Sequence, residues 1–219
     1  MNDNPFREMA AAMRSRTGFD GTMLLFKKEI GWKAGKDAVD MNDEELVALV
    51  DQLMFGWCKW KDNKPVDYHV GLVCDRFKPP KRGELGDNDS TRWERRNKDP
   101  WQFTFFLPLA DPETAALYVF STTSAGGKDA LADLQEIYAD GRERQENAGK
   151  APRVALQAEH YNHQEYGLVY KPRFAIVDWA APPAIKPIRP PASQTIEHVD
   201  APKLEHRPRR GELDDDIPF

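Results

Sequence analysis

The chain of 219 residues is poor in cysteine, with only Cys58 and Cys74. Two thiols do not make the disulfide framework of a small secreted domain, so a reducing, cytoplasmic compartment is expected. No apolar run approaches the roughly 20 residues that a helix needs to cross a bilayer. The opening "MNDNPFREMAAAMRSRTGFDG" scatters charge where a signal peptide would hold a continuous apolar segment. Recognisable catalytic patterns are also scarce. "SAGGKDA" (124–130) lacks the spacing of a phosphate-binding loop and the Ser/Thr after its lysine, and reads better as a loop entering a helix. His160 and His163 stand three apart beside Glu159 and Glu165, so on a strand they point to opposite faces, and no further cluster completes a metal site. Cys58 and Cys74 read as ordinary buried cysteines. No nucleophile and base share a recognisable spacing. These absences argue against an enzyme, a bound metal or a cofactor.

A strong charge of one sign is missing too. The net charge is -5. Residues 180–211 carry six bases and three acids, a net of +3, whereas 212–219 carry four acids and no base. The remaining 179 residues sum to -4, so nucleic-acid binding would need a local basic patch.

What is present is enough for a core: 40% of residues are hydrophobic and 11% aromatic. A composition break follows Trp179. The last stretch, from Ala180, holds eight of the 17 prolines and no aromatic residue before Phe219. It buries too little apolar surface to offset its ordering entropy. Three regions are therefore expected: a folded domain over 1–179, a disordered proline-rich linker over 180–211, and an acidic tip over 212–219.

Within 1–179 the pattern is mixed α and β. "TMLLFKKEI" (22–30) fits a strand or a short helix. "MNDEELVALVDQLMFG" (41–56) has a capping Asn42 or Asp43, acids in its first turn, and Leu46, Leu49, Val50, Leu53 and Met54 at helical spacing, which predicts an amphipathic helix. Strands are predicted at 68–74, 101–109 and 115–123, the last two joined by the turn "ADPET". A helix is predicted over 126–147, with Leu131, Leu134 and Tyr138 on one side, and strands at 153–161 and 167–179. From residue 68 this is the element order of an OB-fold, a five-stranded barrel with a helix between its third and fourth strands. The fold expected is thus α+β and mostly β, an OB-fold-like barrel, with residues 1–67 as an N-terminal extension packed outside it.

Single-stranded nucleic acid is held by aromatic faces for the bases and cations for the phosphates. The stretch from Asp75 to Phe103 supplies both. Arg76, Lys78, Lys81, Arg82, Arg92, Arg95, Arg96 and Lys98 face six acids, and Phe77, Trp93, Trp101 and Phe103 are interleaved. Trp93, with charged neighbours on both sides, is the foremost stacking candidate, whereas Trp101 beside "FTFF" is expected in the core. "GWCKWK" (56–61) adds Trp57 and Trp60, with Lys59 and Lys61, at the end of the predicted helix.

The chain ends Asp214, Asp215, Asp216, Ile217, Pro218, Phe219. An acidic run explains solubility but not an exposed Ile-Pro-Phe. A terminal phenylalanine offers a ring for an apolar pocket and a carboxylate for a basic residue at its lip. Pro218 limits the entropy lost on docking, and the aspartates steer the tip to a basic rim. "DDDIPF" resembles the tail tip of bacterial single-stranded DNA-binding proteins, in which an OB domain holds the strand and a disordered tail recruits partners. The resemblance covers the tip and, more loosely, the proline-rich linker. The core lacks the ordinary family pattern and has the flavour of a phage or mobile-element protein. The resemblance implies coating of single-stranded DNA in replication, recombination and repair. It also implies partners such as helicases, exonucleases, recombination mediators and primase, and, since the family forms oligomers, a homo-oligomer of a number that no feature fixes. Two rivals stand beside it: an interaction protein that mimics the tip to capture or block repair proteins without binding DNA, and a nucleic-acid enzyme of unrecognised type.

Overall fold

The computed structural model describes residues 21–62, 64–93, 98–164 and 167–185. Its strands in chain order are β1 (Thr22–Lys27), β2 (Gly31–Ala34), β3 (Val39–Asp40), β4 (Glu45–Ala48), β5 (Met54–Lys61), β6 (Lys64–Leu72), β7 (Trp101–Ala110) and β8 (Leu117–Thr122). One helix follows, α1 (Ala125–Arg142), and then β9 (Ala151–His163) and β10 (Gly167–Ala180). The strands form one open mixed sheet in the order β10-β9-β4-β7-β8-β1-β2-β3, with β5 pairing to β7 and β6 to β5. Most neighbours are antiparallel, and β1 runs parallel to β8.

Local chemistry explains several elements. Ser124 caps α1 by accepting from the Gly127 N–H. Leu131, Leu134 and Tyr138 then recur on the buried side of the helix. The helix stops at Arg142, short of the expected 147, and a 3₁₀ turn over Gln145–Asn147 follows. Buried Asn147 donates to the Gly141 carbonyl at 3.0 Å, satisfying one of the acceptors that a helix end leaves open. In the expected "ADPET" turn, the Asp111 carboxylate accepts from the Glu113 and Thr114 N–H groups, the Asx device that reverses the chain between β7 and β8.

The expected helix over 41–56 is instead β4, a 3₁₀ turn over Val50–Gln52, and the start of β5. β4 lies between β7 and β9, and Leu46, Val47 and Ala48 are all buried. A central strand covered on both faces shows no alternation, so its apolar run mimics a helix stripe. The segment expected to pack outside a barrel supplies β1 through β5 to the sheet itself. In a five-stranded OB barrel the strand near 68–74 would pair with the next one in sequence. Here β5 lies between β6 and β7. The mostly β architecture is as expected, while these pairings describe an open sheet.

The main core lies between the sheet and α1 and is organised around Trp32, which is fully buried. Its ring meets those of Phe26, Phe120 and Phe174 at 5.1 to 5.4 Å. Its Nε1–H donates to the Gln157 carbonyl at 2.7 Å, which bonds β2 to β9 even though the two are distant in the sheet order. A second cluster, Met54, Cys58, Tyr68, Phe106 and Val119, fills the even-numbered side of β5 and β7. β10 ends at Ala180, one residue past the composition break, and Ile185 still packs on the buried cluster of Val47, Leu49, Ala110 and Ala151. Residues 186–219, which hold most of the expected linker and the whole tip, lie outside the described residues. No helix among the described residues is long and apolar enough to cross a membrane.

Candidate nucleic-acid interface

On a strand, alternate residues share a face, and directly opposed residues of antiparallel neighbours share it too. β5 and β7 align Phe55 with Phe105, Trp57 with Phe103, and Lys59 with Trp101. β6 continues the same face with Gly71, His69 and Asp67. The even positions Met54, Cys58 and Phe106 go to the second core cluster, so the odd positions form an aromatic ladder on the other side of the sheet. Phe55 and Phe105 are stacked at 6.0 Å, Trp57 meets Phe103 edge-on at 5.2 Å, and Phe103 meets Phe105 at 5.7 Å. Phe55, Trp57, Phe103 and Phe105 are each only half-buried.

The chain between β6 and β7 folds back over this ladder as an arm. Gly71 leaves a gap that the Phe77 ring fills: a Cβ at Gly71 would collide with it. Phe77 then touches Phe55 edge-on at 5.9 Å. The Trp57 indole N–H donates to the Pro80 carbonyl at 2.9 Å. Further along, Lys59 pairs with Asp87 at 2.7 Å, and the Trp93 indole N–H donates to the Asp87 carbonyl at 2.8 Å.

Arg82 organises the arm internally. It grips both carboxylate oxygens of Asp99 at 2.6 and 2.7 Å and also bonds the carbonyls of Gly86 and Asp87 and the side chain of Asn88. A fork-to-fork pair of this kind fixes geometry as well as charge. Partial burial pushes the Asp87 carboxyl up, but hydrogen bonding and charge from Lys59, with smaller help from Trp101 and Arg82, outweigh it and hold the group below the ordinary carboxylate value.

The residues singled out from sequence fall into distinct places. Trp57 belongs to the ladder, on a strand and not at a helix end. The Trp60 ring packs on the second core cluster, on the opposite side of the sheet, beyond an irregularity between Lys59 and Trp60. Trp101 is 3% exposed and forms the floor beneath Lys59, whose ammonium lies 5.7 Å from its ring centre. Trp93 is half-buried on the arm. Arg92 is exposed and pairs with Asp89 at 3.3 Å. Arg76, Lys78 and Lys81 are exposed and form no ion pair with another described side chain. Arg95, Arg96 and the tip residues Asp214 to Phe219 lie outside the described residues. Cys58 is buried as expected, and burial pushes its thiol up to about 12, whereas Cys74 is exposed.

No protein-family model, curated protein or solved structure gives a significant match to this chain. Its chemistry must therefore be argued from its own surface. Among the described residues, no group of three or more His, Cys, Asp or Glu is arranged to hold a metal ion. The ladder with the exposed cations Arg76, Lys78 and Lys81 beside its Phe77 and Pro80 contacts offers rings for bases and charge for phosphates. Phe55, Phe105, His69 and Asp87 are parts of this surface that the sequence reading did not single out. Their signal was the alternation in "MFGWCKWK", with Phe55, Trp57 and Lys59 on every second residue, which the helix assignment concealed.

Proposed function

We propose that this chain binds single-stranded DNA on the ladder of Phe55, Trp57, Phe103 and Phe105, and recruits replication and repair proteins through its terminal "DDDIPF". The observation that carries the reading is four half-buried rings on one sheet face, opposed in register across β5 and β7 and bordered by exposed cations. Phe105 also packs against the main core, whereas Phe55, Trp57 and Phe103 keep part of their rings at the surface, and unpaired bases stack on such rings at about 1–3 kcal/mol each. A duplex buries its bases in the stack, so the ladder suits a single strand. The OB-like assignment rests on element order from β6 onward and makes no claim of barrel closure. In this reading the chain is not an enzyme.

A tryptophan-fluorescence titration with oligo-dT at 50 and 200 mM salt tests the proposal. Quenching with salt-sensitive affinity is expected. No quenching and no binding at either salt would reject DNA binding and leave the tip-mimicking interaction protein. Degradation of the oligonucleotide with Mg²⁺ would favour the enzyme.

A further inference from the structure

The same arm that brings the cations to the ladder also closes one end of it. We infer that residues 77–93 act as a latched strap, in which the Asp87 carboxylate occupies, on Lys59, the place that a nucleic-acid phosphate takes when a strand binds. The inference rests on the reading of the ladder as a nucleic-acid surface.

Three observations on different atoms meet at this point. Lys59 stands on the ladder face of β5, directly in line with Phe55 and Trp57, and its ammonium is engaged by Asp87 at 2.7 Å. The floor beneath is Trp101, whose indole N–H is buried and has no hydrogen-bond partner. The ring that carries this N–H lies 5.7 Å from the Lys59 ammonium. An ammonium beside an unsatisfied N–H is a donor pair suited to an oxygen-rich anion, and a carboxylate held from above fills it only in part.

The strap has the two kinds of attachment such a device needs. Its root is firm: Arg82 is bound bidentately to Asp99, whose carboxylate also accepts from the Trp101 backbone N–H at 2.9 Å. Its outer contacts are weak singly. The Lys59–Asp87 pair is partly exposed, at 27% and 40%, and such pairs contribute little in water and are screened by salt. Trp57 to Pro80 is one neutral hydrogen bond, and Phe77 rests in a gap rather than in a closed pocket. Opening would release the Lys59 ammonium and the Trp57 edge together while the root stays in place. Asp67 is aligned with Lys59 on the neighbouring β6, and its carboxylate accepts from the Tyr68 N–H.

The test compares the parent chain, Asp87→Asn and Asp89→Asn, each binding fluorescent oligo-dT across a salt series, with amide exchange of residues 77–93 followed without DNA. Asp89 pairs with Arg92 away from Lys59 and controls for the mere loss of one negative charge. Asp87→Asn keeps the backbone carbonyl that holds Trp93, so the arm retains its shape. The expected result is faster exchange in the strap and affinity tightened by up to about fivefold, the ceiling for freeing one partly exposed ion pair. The salt dependence should steepen by about 0.7 in logarithmic slope, one added phosphate contact on a single strand. Asp89→Asn should change affinity less and leave the slope alone. If the parent binds and Asp87→Asn binds equally or more weakly, or if both variants tighten alike, the strap is overturned and DNA binding stands. If neither the parent nor Asp87→Asn binds, both inferences fall.

Discussion

Replacing Phe103 by leucine separates stacking from everything else this surface does. Phe103 sits at the centre of the ladder, 5.2 Å from Trp57, 6.0 Å from Phe55 and 5.7 Å from Phe105. Its ring contacts are with sheet residues, and the strap is attached through Trp57, Lys59 and Gly71 instead. Leucine preserves most of the apolar volume, and a near-isosteric change at a half-buried site should cost under about 1.5 kcal/mol of stability. What it removes is one aromatic plane. Loss of one stacked base, at about 1–3 kcal/mol, predicts weaker oligo-dT binding by roughly fivefold to 150-fold. Because a ring neutralises no phosphate, the salt slope should stay constant while the affinity falls. Anisotropy titrations at four salt concentrations would measure both quantities, with thermal melts to confirm the fold. Affinity within twofold of the parent, on a folded variant, would refute the ladder as the base-stacking surface. A change in slope without a change in intercept would show that the ring acts only through nearby charges.

Other outcomes follow from the same structure. Trp32→Ala should destabilise the chain by about 3–5 kcal/mol, and Trp32→Phe by about 1–3 kcal/mol because the Gln157 carbonyl loses its partner, read as urea midpoints at unchanged slope. Native protein should offer a thiol reagent only Cys74. Burial raises the Cys58 thiol from 9.0 to about 12, so the stability it supports is complete below pH 9 and lost as pH climbs toward 12, and Cys58→Ala should flatten that part of the stability profile. Adding one residue after Phe219 should abolish binding of the tip to its recruited partners and leave oligo-dT affinity unchanged. Equal binding of the extended chain would show that the terminal carboxylate is not read.

Elements whose signals are local were readable. The β7–β8 turn carries its own Asx bond at Asp111, and α1 carries its cap at Ser124 and its apolar side at Leu131, Leu134 and Tyr138. Elements defined by distant partners were not. β4 looks helical because both its faces are covered, by packing that no neighbouring residue announces. β1 lies parallel to β8, nearly a hundred residues on, a pairing with no turn to mark it. The candidate surface divides the same way. Aromatic and basic types in 75–103 marked the stretch that folds back over the ladder, but sequence could not tell a gripping arginine from a free one. Arg82 is consumed by Asp99, whereas Lys78 and Lys81 point to solvent. Nor could it place Trp57 and Trp60 on opposite sides, since residues three apart share a helix face but take opposite faces of a strand.

The balance between rings and charges on this surface sets how salt should act. The segment 1–179 carries a net -4, so long-range attraction to a polyanion is absent and binding must come from contacts. Of the cations beside the ladder, Lys59 and Arg82 are already paired, leaving Arg76, Lys78 and Lys81. Each phosphate neutralised on a single strand contributes about 0.7 to the logarithmic salt slope, so these three predict a shallow slope near 2. Stacking, insensitive to salt, would then supply most of the affinity. The double variant Lys78→Ala with Lys81→Ala should lower the slope by about 1.4 and weaken binding chiefly at low salt. Near 1 M salt, where their charge is screened, it should bind almost as the parent does. Equal slopes for the two proteins would mean that the strand does not pass beside the arm, and the path proposed over the ladder would have to be abandoned.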